Sequence, residues 1–419
     1  MFFLYQILMI IIITLSPLII VFRIYKKKED IKRLKEKFCF PSKKKIPGSL
    51  IWLHGASVGE LLSAIPLIYK LEKNKSINQI LITSSTLSSA EIFKKFKFKK
   101  TVHQFFPIDF IFFSYKFINY WKPNITIFLE SEIWPSIFKV LNKKNIPLLL
   151  LNARITKKTF TKWYRLKKFS NSIFKSISRA YPQNDETSKY LKKLNVSKVN
   201  KIGNLKFINN EQDSLKLSKN LLKNFKSRKV WCASSTHPGE ETICLNVHKS
   251  LKKKYKNLLT IIIPRHVHRI NEIANEIKDL NLKVALHSSK PKKLNNTDIY
   301  LVDTYGETQK FYQSSAIVFM GKSLTVRGGQ NPLEPTNLGS TVLYGPNVDN
   351  FKDTYKLLNK LKVAYKVNGI KSLTYSIDKL ITNPDNKKNY LKIAKIGKKI
   401  LNETKDEINS LFNNEIKKT

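Results

Sequence analysis

The strongest constraint on the fold is an alternation of short, β-branched apolar runs with longer amphipathic segments. This alternation is typical of parallel sheets that are covered by helices. A first series of predicted strands comprises Leu50–His54, Gln79–Ser84, Val102–Phe106, Ile125–Leu129 and Pro147–Leu151, with weaker candidates at Arg179–Pro182 and Val199–Ile202. A second series comprises Lys229–Ala233, Leu258–Ile263, Lys283–Leu286, Asp298–Val302, Ala316–Phe319 and Thr341–Tyr344. The sequence therefore predicts two doubly wound, Rossmann-like α/β domains with an interdomain cleft.

The two series set the expected domain boundaries. A polar stretch without periodicity, residues 209–218, separates them and is interpreted as a linker. We therefore expect domains at 23–208 and 219–419, preceded by an apolar segment at 1–22. Because ligands bind beyond the carboxyl ends of strands in such sheets, the loops after the strands are the candidate sites.

The apolar segment 1–22 is long enough to form a transmembrane helix. About 20 apolar residues cross a hydrocarbon core of roughly 30 Å. The segment lacks a basic region before it and a small-residue cleavage site after it, so a cleaved signal peptide is not expected. Basic residues follow it instead: Arg23, Lys26, Lys27, Lys28, Lys32, Arg33, Lys35 and Lys37. The positive-inside bias then predicts a single-pass anchor with the catalytic domains in the cytoplasm, and a buried core helix is the alternative.

The chain is strongly basic. Lys plus Arg number 76 and Asp plus Glu number 30, which gives a formal net charge of +46. This charge predicts an anionic partner, either nucleic acid, an acidic membrane surface or an acidic substrate, although a lysine-rich genome would produce the same excess. Lysines at 94–100 alternate with phenylalanines, which predicts either an interfacial patch or an ordinary helix with a solvated basic face.

Polar residues follow three predicted strands of the first half. Glu60 closes the segment HGASVGE at 54–60, at or near the start of a helix, where a carboxylate either favours the helix dipole or acts as a general base toward a hydroxyl. Glu130 and Glu132 lie in ESEIWP at 130–135, where either one of them caps the next helix or both form a polar site that binds hydroxyls or orients a base. Asn152-Ala153-Arg154 supplies an amide and a guanidinium at the same edge.

The second half carries a similar set of loops. ASSTHPGEE at 233–241 offers hydroxyls and backbone N–H groups suited to an anion, with a solvated turn as the alternative. Arg265 follows the next strand and can pair with a phosphate. DTYGE at 303–307 and GGQNPLEP at 328–335 close two further strands, and Glu334 can accept hydrogen bonds from ribose hydroxyls.

Several familiar motifs are missing from the sequence. It contains no GxxxxGK[ST] phosphate loop, no GxGxxG after a strand, no GxSxG elbow, no HExxH and no DxD pair. We therefore expect neither a metal ion nor a cofactor, and a leaving phosphate would rely on Arg265 and on helix N-termini.

Taken together, these loops resemble those of the 3-deoxy-D-manno-octulosonic acid (Kdo) transferases of lipopolysaccharide assembly. The resemblance covers nearly the whole chain and includes GNLKF at 203–207 and PRH at 264–266, besides the motifs above. It implies a GT-B fold and an inverting, metal-independent transfer of Kdo from CMP-Kdo to the lipid A precursor (lipid IVA), on the cytoplasmic face of the inner membrane. It also implies an acceptor-binding N-terminal domain and a CMP-Kdo-binding C-terminal domain.

The resemblance also implies roles for individual residues. Glu60 matches the catalytic base, and Glu130 and Glu132 match a loop that is either an acceptor-side element or an element that supports the base. The positions that match donor-binding residues are Pro264, Arg265, Tyr305, Gly306, Glu307, Asn331, Pro332, Leu333 and Glu334. Two residues depart from the family pattern, because Gln330 stands where His is usual and Tyr305 replaces a smaller aliphatic residue.

Two other functions remain open at this stage. One is a GT-B transferase with a different nucleotide-sugar donor, since the chemistry of these loops alone does not select CMP. The other is a membrane-tethered, basic nucleic-acid-binding protein. The sequence has neither an RNP-like strand pattern nor a recognisable helix-turn-helix, so nucleic acid is not the expected partner.

Overall fold

The computed structural model describes residues 1–208, 217–382 and 386–418, and most of the predicted linker lies outside these ranges. The chain forms two compact units. One comprises Met1–Asn210 together with Lys398–Thr419, and the other comprises Glu211–Gly397.

The strands and helices are numbered in chain order. The strands are β1 (Leu50–His54), β2 (Gln79–Ser84), β3 (Thr101–Phe105), β4 (Ile125–Leu129), β5 (Leu148–Ala153), β6 (Arg179–Pro182), β7 (Lys229–Thr236), β8 (Leu258–Pro264), β9 (Val284–Leu286), β10 (Ile299–Leu301), β11 (Ile317–Met320), β12 (Thr341–Tyr344) and β13 (Ala364–Lys366). The helices are α1 (Phe2–Tyr25), α2 (Val58–Glu72), α3 (Leu87–Phe93), α4 (Ile111–Trp121), α5 (Pro135–Lys143), α6 (Lys157–Arg165), α7 (Lys167–Phe174), α8 (Asp185–Lys193), α9 (Lys219–Lys226), α10 (Glu240–Lys252), α11 (Ile270–Asp279), α12 (Thr308–Tyr312), α13 (Leu333–Asn337), α14 (Lys352–Lys360), α15 (Ile370–Thr382) and α16 (Asn386–Ile416). Short 3-10 helices occur at Ile31–Phe38, Leu205–Phe207, Val267–Arg269 and Asp349–Phe351.

The first unit contains a six-stranded parallel sheet in the order β3-β2-β1-β4-β5-β6. This is the order of a doubly wound dinucleotide-type sheet, with its switch point between β1 and β4. The prediction of a doubly wound domain is confirmed here. The weak candidate at Val199–Ile202 is not a strand, because Val199 forms only an isolated bridge with Ala180.

The second unit contains a seven-stranded parallel sheet in the order β13-β12-β11-β7-β8-β10-β9. All the predicted strands of the second series are present, with ends that differ by a few residues. β13 was not predicted, because it is only three residues long and two of them are exposed.

Each unit has its own apolar core. Strands β1 and β4 of the first sheet and β8 and β11 of the second are buried along their whole length, which explains their continuous apolar sequence. Trp52, Trp121 and Phe138 belong to the core of the first unit, and Trp231 and Phe319 belong to that of the second.

The end of the chain differs from the expected boundary. We assigned all of 219–419 to the second domain, but Lys398–Thr419, the end of α16, groups with the first unit. Glu407 accepts hydrogen bonds from Arg179 Nη1 and Tyr181 Oη, both at 2.8 Å. Phe412 is fully buried. Sequence order did not reveal this, because an amphipathic helix can cover either sheet.

Helix α1 confirms the predicted apolar helix. It has 24 residues and a mean hydropathy of 2.7 in its most apolar window, so by length and composition it could cross a membrane.

The lysine-rich segment at 94–100 is not an ordinary helix. Helix α3 ends at Phe93, and Phe93 and Phe96 each stack on Phe98, with ring centroids 5.0 and 5.8 Å away. Tyr69 packs on the same ring at 4.8 Å. These aromatic rings therefore pack mainly against one another.

We predict that Phe412→Ala lowers the free energy of unfolding by about 3–5 kcal/mol, the usual cost of removing a buried phenylalanine ring. Denaturant unfolding in detergent measures it. Asn413→Ala, an exposed neighbour on α16, is the control and should change stability by less than about 0.5 kcal/mol. Equal stabilities of the two variants would contradict the packing of α16 on the first unit.

Candidate active site

Glu60 lies in the first turn of α2, directly after β1. Ser57 is the N-cap residue, and its hydroxyl accepts a hydrogen bond from Glu60 N at 3.3 Å. In return, Ser57 Oγ donates to Glu60 Oε1 at 2.9 Å and Ala56 N donates to Oε2 at 2.8 Å. The spacing Ser57-x-x-Glu60 is that of a capping box, but here the carboxylate accepts hydrogen bonds from the Ala56 amide and the Ser57 hydroxyl instead of the Ser57 amide. These hydrogen bonds hold the carboxylate at the carboxyl end of β1.

The surroundings of Glu60 make it a weak acid. Its pKa is raised to about 7, first by burial and then by the negative charge of Glu132, with a smaller contribution from Glu130. The hydrogen bonds from Ser57 and Ala56 oppose this rise. A carboxylate with a pKa near neutrality is well suited to accept a proton from a hydroxyl. The structure thus brings the three predicted acidic residues into one electrostatic group.

A hydrogen-bonded chain holds Glu132. Trp52 Nε1 donates to Thr83 Oγ1 at 2.9 Å, and Thr83 Oγ1 lies 2.9 Å from His54 Nδ1. His54 Nε2 lies 3.3 Å from Glu132 Oε2, which also accepts a hydrogen bond from Trp134 Nε1 at 2.8 Å. Burial lowers the pKa of His54, so the ring is neutral. In the tautomer with its proton on Nε2, His54 donates to Glu132 and accepts from Thr83 Oγ1 at Nδ1, while Thr83 O lies 3.2 Å from the same Nδ1 atom.

Glu130 has a different environment. It is 8% exposed and forms an ion pair with Lys206 Nζ at 2.5 Å, and Asn152 Nδ2 donates to it at 3.3 Å. Glu130 and Asn152 have positive φ angles of 52° and 53°, and Asn152 lies where the pairing of β5 with β6 shifts register. Non-glycine residues in this conformation are costly and concentrate at functional sites.

Asp109 provides the helix cap that we considered for Glu130 or Glu132. Its carboxylate accepts hydrogen bonds from Ser136 N at 3.0 Å and Ile137 N at 2.9 Å, in the first turn of α5. Both glutamates are therefore available for other roles. The sequence analysis missed Asp109, and also gave no role to His54 or Lys206, although both lie in motifs that it quoted.

In the second unit, parallel pairing gathers the predicted loops at one edge. The loops after β7, β8, β10 and β11 contain, in that order, residues 237–239, 265–266, 302–307 and 321–332. Because β11, β7, β8 and β10 are consecutive neighbours in the sheet, these loops lie side by side at its carboxyl edge.

Glu240 joins two of these loops. Its buried carboxylate accepts hydrogen bonds from His237 N at 3.0 Å and from three successive amides of the loop after β11, those of Lys322, Ser323 and Leu324, at 2.7, 2.9 and 2.9 Å. The loop 233–241 is therefore no simple solvated turn. The His237 amide, which we expected to be open to an anion, is bound to Glu240.

Arg265 lies in a cationic part of this edge. Its backbone N–H donates to Thr236 O at 3.1 Å, and its side chain is exposed. The His266 ring lies 5.6 Å from that of His237 and 5.5 Å from that of His268. Desolvation lowers the pKa of His266, and the neighbouring His237, His268 and Arg265 lower it further. The positive charge of this group is therefore that of the exposed Arg265 guanidinium, which is suited to pair with an anion.

The side chain of Glu307 is already bound within the loop after β10. It pairs with Lys310 and His287 and accepts a hydrogen bond from Thr304 Oγ1 at 2.5 Å. The hydrogen bond from Lys310, followed by that from Thr304, lowers the pKa of Glu307 to about 2. Tyr305 is 74% exposed, and Gly306 has a φ of 80°, so this loop presents the tyrosine ring and a glycine backbone to solvent.

The segment Asn331–Glu334 starts helix α13. Asn331 Oδ1 accepts a hydrogen bond from Leu333 N at 3.2 Å, and Pro332 and Leu333 are buried. Glu334 is exposed in the first turn. The proline and leucine therefore shape the turn, while the Asn331 and Glu334 side chains are the polar groups at this edge.

Within the ranges that the structure describes, no three His, Cys, Asp or Glu side chains are grouped so that they could hold a metal ion.

Comparison with solved structures identifies the class of fold. UDP-GlcNAc 2-epimerase from Neisseria meningitidis, solved with UDP-GlcNAc, is 16% identical with a TM-score of 0.58, covering 87% of this chain and 100% of that one. HepE from Anabaena, solved with UDP, is 10% identical with a TM-score of 0.53 and the same coverage. The chain has two α/β units, each with a parallel sheet, and it resembles these solved structures. Its fold is therefore GT-B-like.

Sequence comparison identifies the family. A family model described as 3-deoxy-D-manno-octulosonic-acid transferase (kdotransferase) matches residues 32–209. The 3-deoxy-D-manno-octulosonic acid transferase of Rickettsia bellii is 34% identical over 98% of this chain and 99% of its own. That of Haemophilus influenzae is 30% identical over 91% and 90%. The chain belongs to the Kdo transferases and is a glycosyltransferase.

We predict that Glu60 makes stability depend on pH. Because its folded pKa is raised from 4.5 to about 7, the contribution of Glu60 is fully present below pH 4.5 and is lost as the pH rises through 7. Relative to Glu60→Gln, the wild type should lose on the order of 2 kcal/mol between pH 4.5 and 8, allowing for partial exposure. Thermal unfolding across this range measures the difference.

The control for this experiment is Glu91→Gln, which changes an exposed carboxylate on α3. Its stability should follow that of the wild type at every pH. If the stability of Glu60→Gln also changes with pH in the same way as that of the wild type, the raised pKa of Glu60 is refuted.

Proposed function

We propose that this protein transfers Kdo from CMP-Kdo to a lipid A precursor, with inversion at the anomeric carbon and without a metal ion. The observation that carries the proposal is Glu60, a carboxyl with a pKa of about 7 held by its own helix N-terminus in a chain that belongs to the Kdo transferases. The sequence similarity to Kdo transferases extends over almost the whole chain, which supports Kdo as the transferred sugar.

In the proposed reaction Glu60 is the general base. An acceptor hydroxyl donates its proton to the Glu60 carboxylate while its oxygen bonds to the anomeric carbon of Kdo. The bond from that carbon to the CMP phosphate breaks at the same time, and CMP leaves with the electron pair. Attack from the side opposite the leaving group inverts the configuration. General-base assistance of this kind typically contributes about 10²–10⁴-fold to a rate.

Glu132 and Glu130 act as positioning residues in this proposal. Glu132, oriented by His54 and Trp134, raises the pKa of Glu60 more than Glu130 does. The charge of Glu130 is offset by Lys206. We therefore assign the tuning of the base to Glu132, and the support of the strained backbone after β4 to Glu130.

The second unit supplies the donor contacts in this proposal. The Arg265 guanidinium, among the histidines at 237, 266 and 268, offers a cationic site for the CMP phosphate. Asn331 and Glu334 present polar groups for the ribose, and Pro332 and Leu333 hold their turn. Pro264 sets the end of β8, while Tyr305 and Gly306 form a second contact that Glu307 stabilises from within the loop.

The proposed acceptor and location follow from the membrane character of the chain. An apolar helix and a net charge of +46 suit an enzyme that binds an anionic lipid at a membrane surface. We propose the cytoplasmic face of the inner membrane, where positively charged segments remain.

We predict that Glu60→Gln reduces transfer by about 10²–10⁴-fold, because the amide cannot accept the proton. The assay combines CMP-Kdo generated in situ with tetraacylated lipid A precursor in detergent, with and without EDTA, and reads the product mass. CMP binding, measured by calorimetry, should be unchanged. The rate of the wild type should rise with pH toward a plateau above an apparent pKa near 7.

Glu91→Gln is the matched control for this assay and should be fully active. Nearly normal transfer by Glu60→Gln would remove Glu60 as the base. If the wild type does not react with CMP-Kdo but consumes another nucleotide sugar, the proposal that CMP-Kdo is the donor is refuted. If EDTA abolishes the activity and Mg²⁺ restores it, the proposal that transfer needs no metal ion is refuted.

We predict that Arg265→Gln raises the KM for CMP-Kdo by roughly 10–100-fold, since a hydrogen bond to a charged group contributes about 1.5–3 kcal/mol. The KM for the lipid acceptor should stay within about twofold. Arg165→Gln, an exposed arginine on α6, is the control for loss of one positive charge. An unchanged donor KM would exclude Arg265 from phosphate binding.

A further inference from the structure

The first turns of α1 are bound to the body of the first unit through their polar side chains. Tyr5 Oη donates to Asp109 Oδ2 at 2.7 Å. Gln6 Nε2 donates to Ser136 Oγ at 2.9 Å, and Gln6 Oε1 accepts a hydrogen bond from Ile111 N at 3.0 Å. Asp109 also caps α5, so the contact involves the backbone of that helix. A polar glutamine in an otherwise apolar helix thus has its partners in the protein.

The segment after α1 is bound to the same unit. In the 3-10 helix Ile31–Phe38, Arg33 Nη2 donates to His103 O at 3.0 Å and Glu36 Oε2 accepts a hydrogen bond from Phe105 N at 2.7 Å. Lys37 O accepts a hydrogen bond from Ile108 N at 3.0 Å. Ile108 is next to Asp109, the partner of Tyr5. Both ends of α1 are therefore tied to neighbouring parts of one domain.

These contacts are incompatible with a helix that crosses the bilayer. Crossing would put Tyr25 on the far side of a hydrocarbon core of about 30 Å. The chain from Tyr25 to Ile31 spans six Cα–Cα steps, which reach at most about 22 Å when fully extended. The residues between them are Lys26, Lys27, Lys28, Glu29 and Asp30, all of them charged, so this segment would not return through lipid.

The two faces of α1 also differ in exposure. Met9 and Ser16 are buried, and Ile13 and Ile20, which share their face at spacings of three and four residues, are partly covered. On the opposite face Leu4, Ile11, Leu18 and Phe22 are all at least 50% exposed. Phe3, Leu8, Ile10 and Val21, which flank this face, are also at least 50% exposed, so the open apolar surface of α1 is broad and is centred on the line of Leu4, Ile11, Leu18 and Phe22.

We propose that α1 does not cross the membrane but lies along its cytoplasmic surface, with the stripe Leu4, Ile11, Leu18 and Phe22 buried in one leaflet. Interfacial helices bury an apolar face about 5–10 Å deep, between the headgroups and the acyl chains. Here the protein body covers the other face. Lys26, Lys27 and Lys28 are exposed directly after the helix and match the anionic headgroups of such a surface.

This arrangement attaches the membrane helix to the candidate active site without depending on the proposed donor or acceptor. Ser136, the partner of Gln6, lies in the first turn of α5, directly after the loop that carries Glu130, Glu132 and Trp134. Asp109 follows β3 and Ser136 follows β4, so α1 is bound at the carboxyl edge of the sheet, where Glu60 also lies. A lipid substrate would reach this edge from the leaflet.

The decisive experiment is the sidedness of the N-terminus in the full chain. The protein carries one epitope at the N-terminus and another at the C-terminus and is expressed in a Gram-negative host. Protease is added to right-side-out spheroplasts and to inverted membrane vesicles. We expect both epitopes to be protected in spheroplasts and both to be cleaved in inverted vesicles. An N-terminal epitope cleaved in spheroplasts, with the C-terminal one protected, would overturn the proposal in favour of a single crossing.

A second experiment tests what covers the stripe. Ile11→Gln with Leu18→Gln should weaken flotation with vesicles of phosphatidylethanolamine and phosphatidylglycerol at least tenfold. Leu391→Gln with Tyr375→Gln, two exposed apolar residues outside α1, is the matched control and should float like the wild type. Unchanged flotation of the α1 variant would refute burial of the stripe in lipid. A wild-type dimer that this variant converts to a monomer would instead assign the stripe to a second copy.

Discussion

Parallel strand pairing is the constraint on which the functional geometry of both units depends. Because every strand points the same way, all the carboxyl-end loops of a sheet meet at one edge. The strands carry mainly apolar side chains, so most polar groups of the sites lie in those loops, and His54, Thr83 and Asn152 join them from the ends of strands. In the first unit this edge holds Glu60, Glu130 and Glu132, and in the second it holds Arg265 and Glu334.

Buried carboxylates then give these loops their shape. Glu240 accepts hydrogen bonds from four backbone amides, and Asp109 holds the first turn of α5. Glu130 is neutralised by Lys206. Burial raises the pKa of Asp109 despite its hydrogen bonds, and it raises the pKa of Glu60 in the same way. At Glu60 the negative charge of Glu132 adds to the effect of burial and brings the pKa to about 7.

Much of the fold was predictable, because the strand runs of a parallel sheet are apolar and bounded by polar loops. The loops with candidate site residues were also found, since they directly follow those strands. The sequence did not reveal which acidic residue caps α5, that Glu240 binds a neighbouring loop, or that α16 ends on the first unit. Each of these depends on contacts between residues that are far apart in the chain, such as Glu407 with Arg179.

By itself the sequence determined the class of fold, the family and the positions of the motif loops, because local apolar periodicity and motif residues are properties of the chain. Only the tertiary structure decided the raised pKa of Glu60, the different surroundings of Glu130 and Glu132, and the docking of α1 through Tyr5 and Gln6. These properties arise from burial and from distances of about 3 Å between side chains brought together by folding. Hydropathy shows only that α1 is apolar along its length. The structure also shows which groups of the protein bind its polar residues.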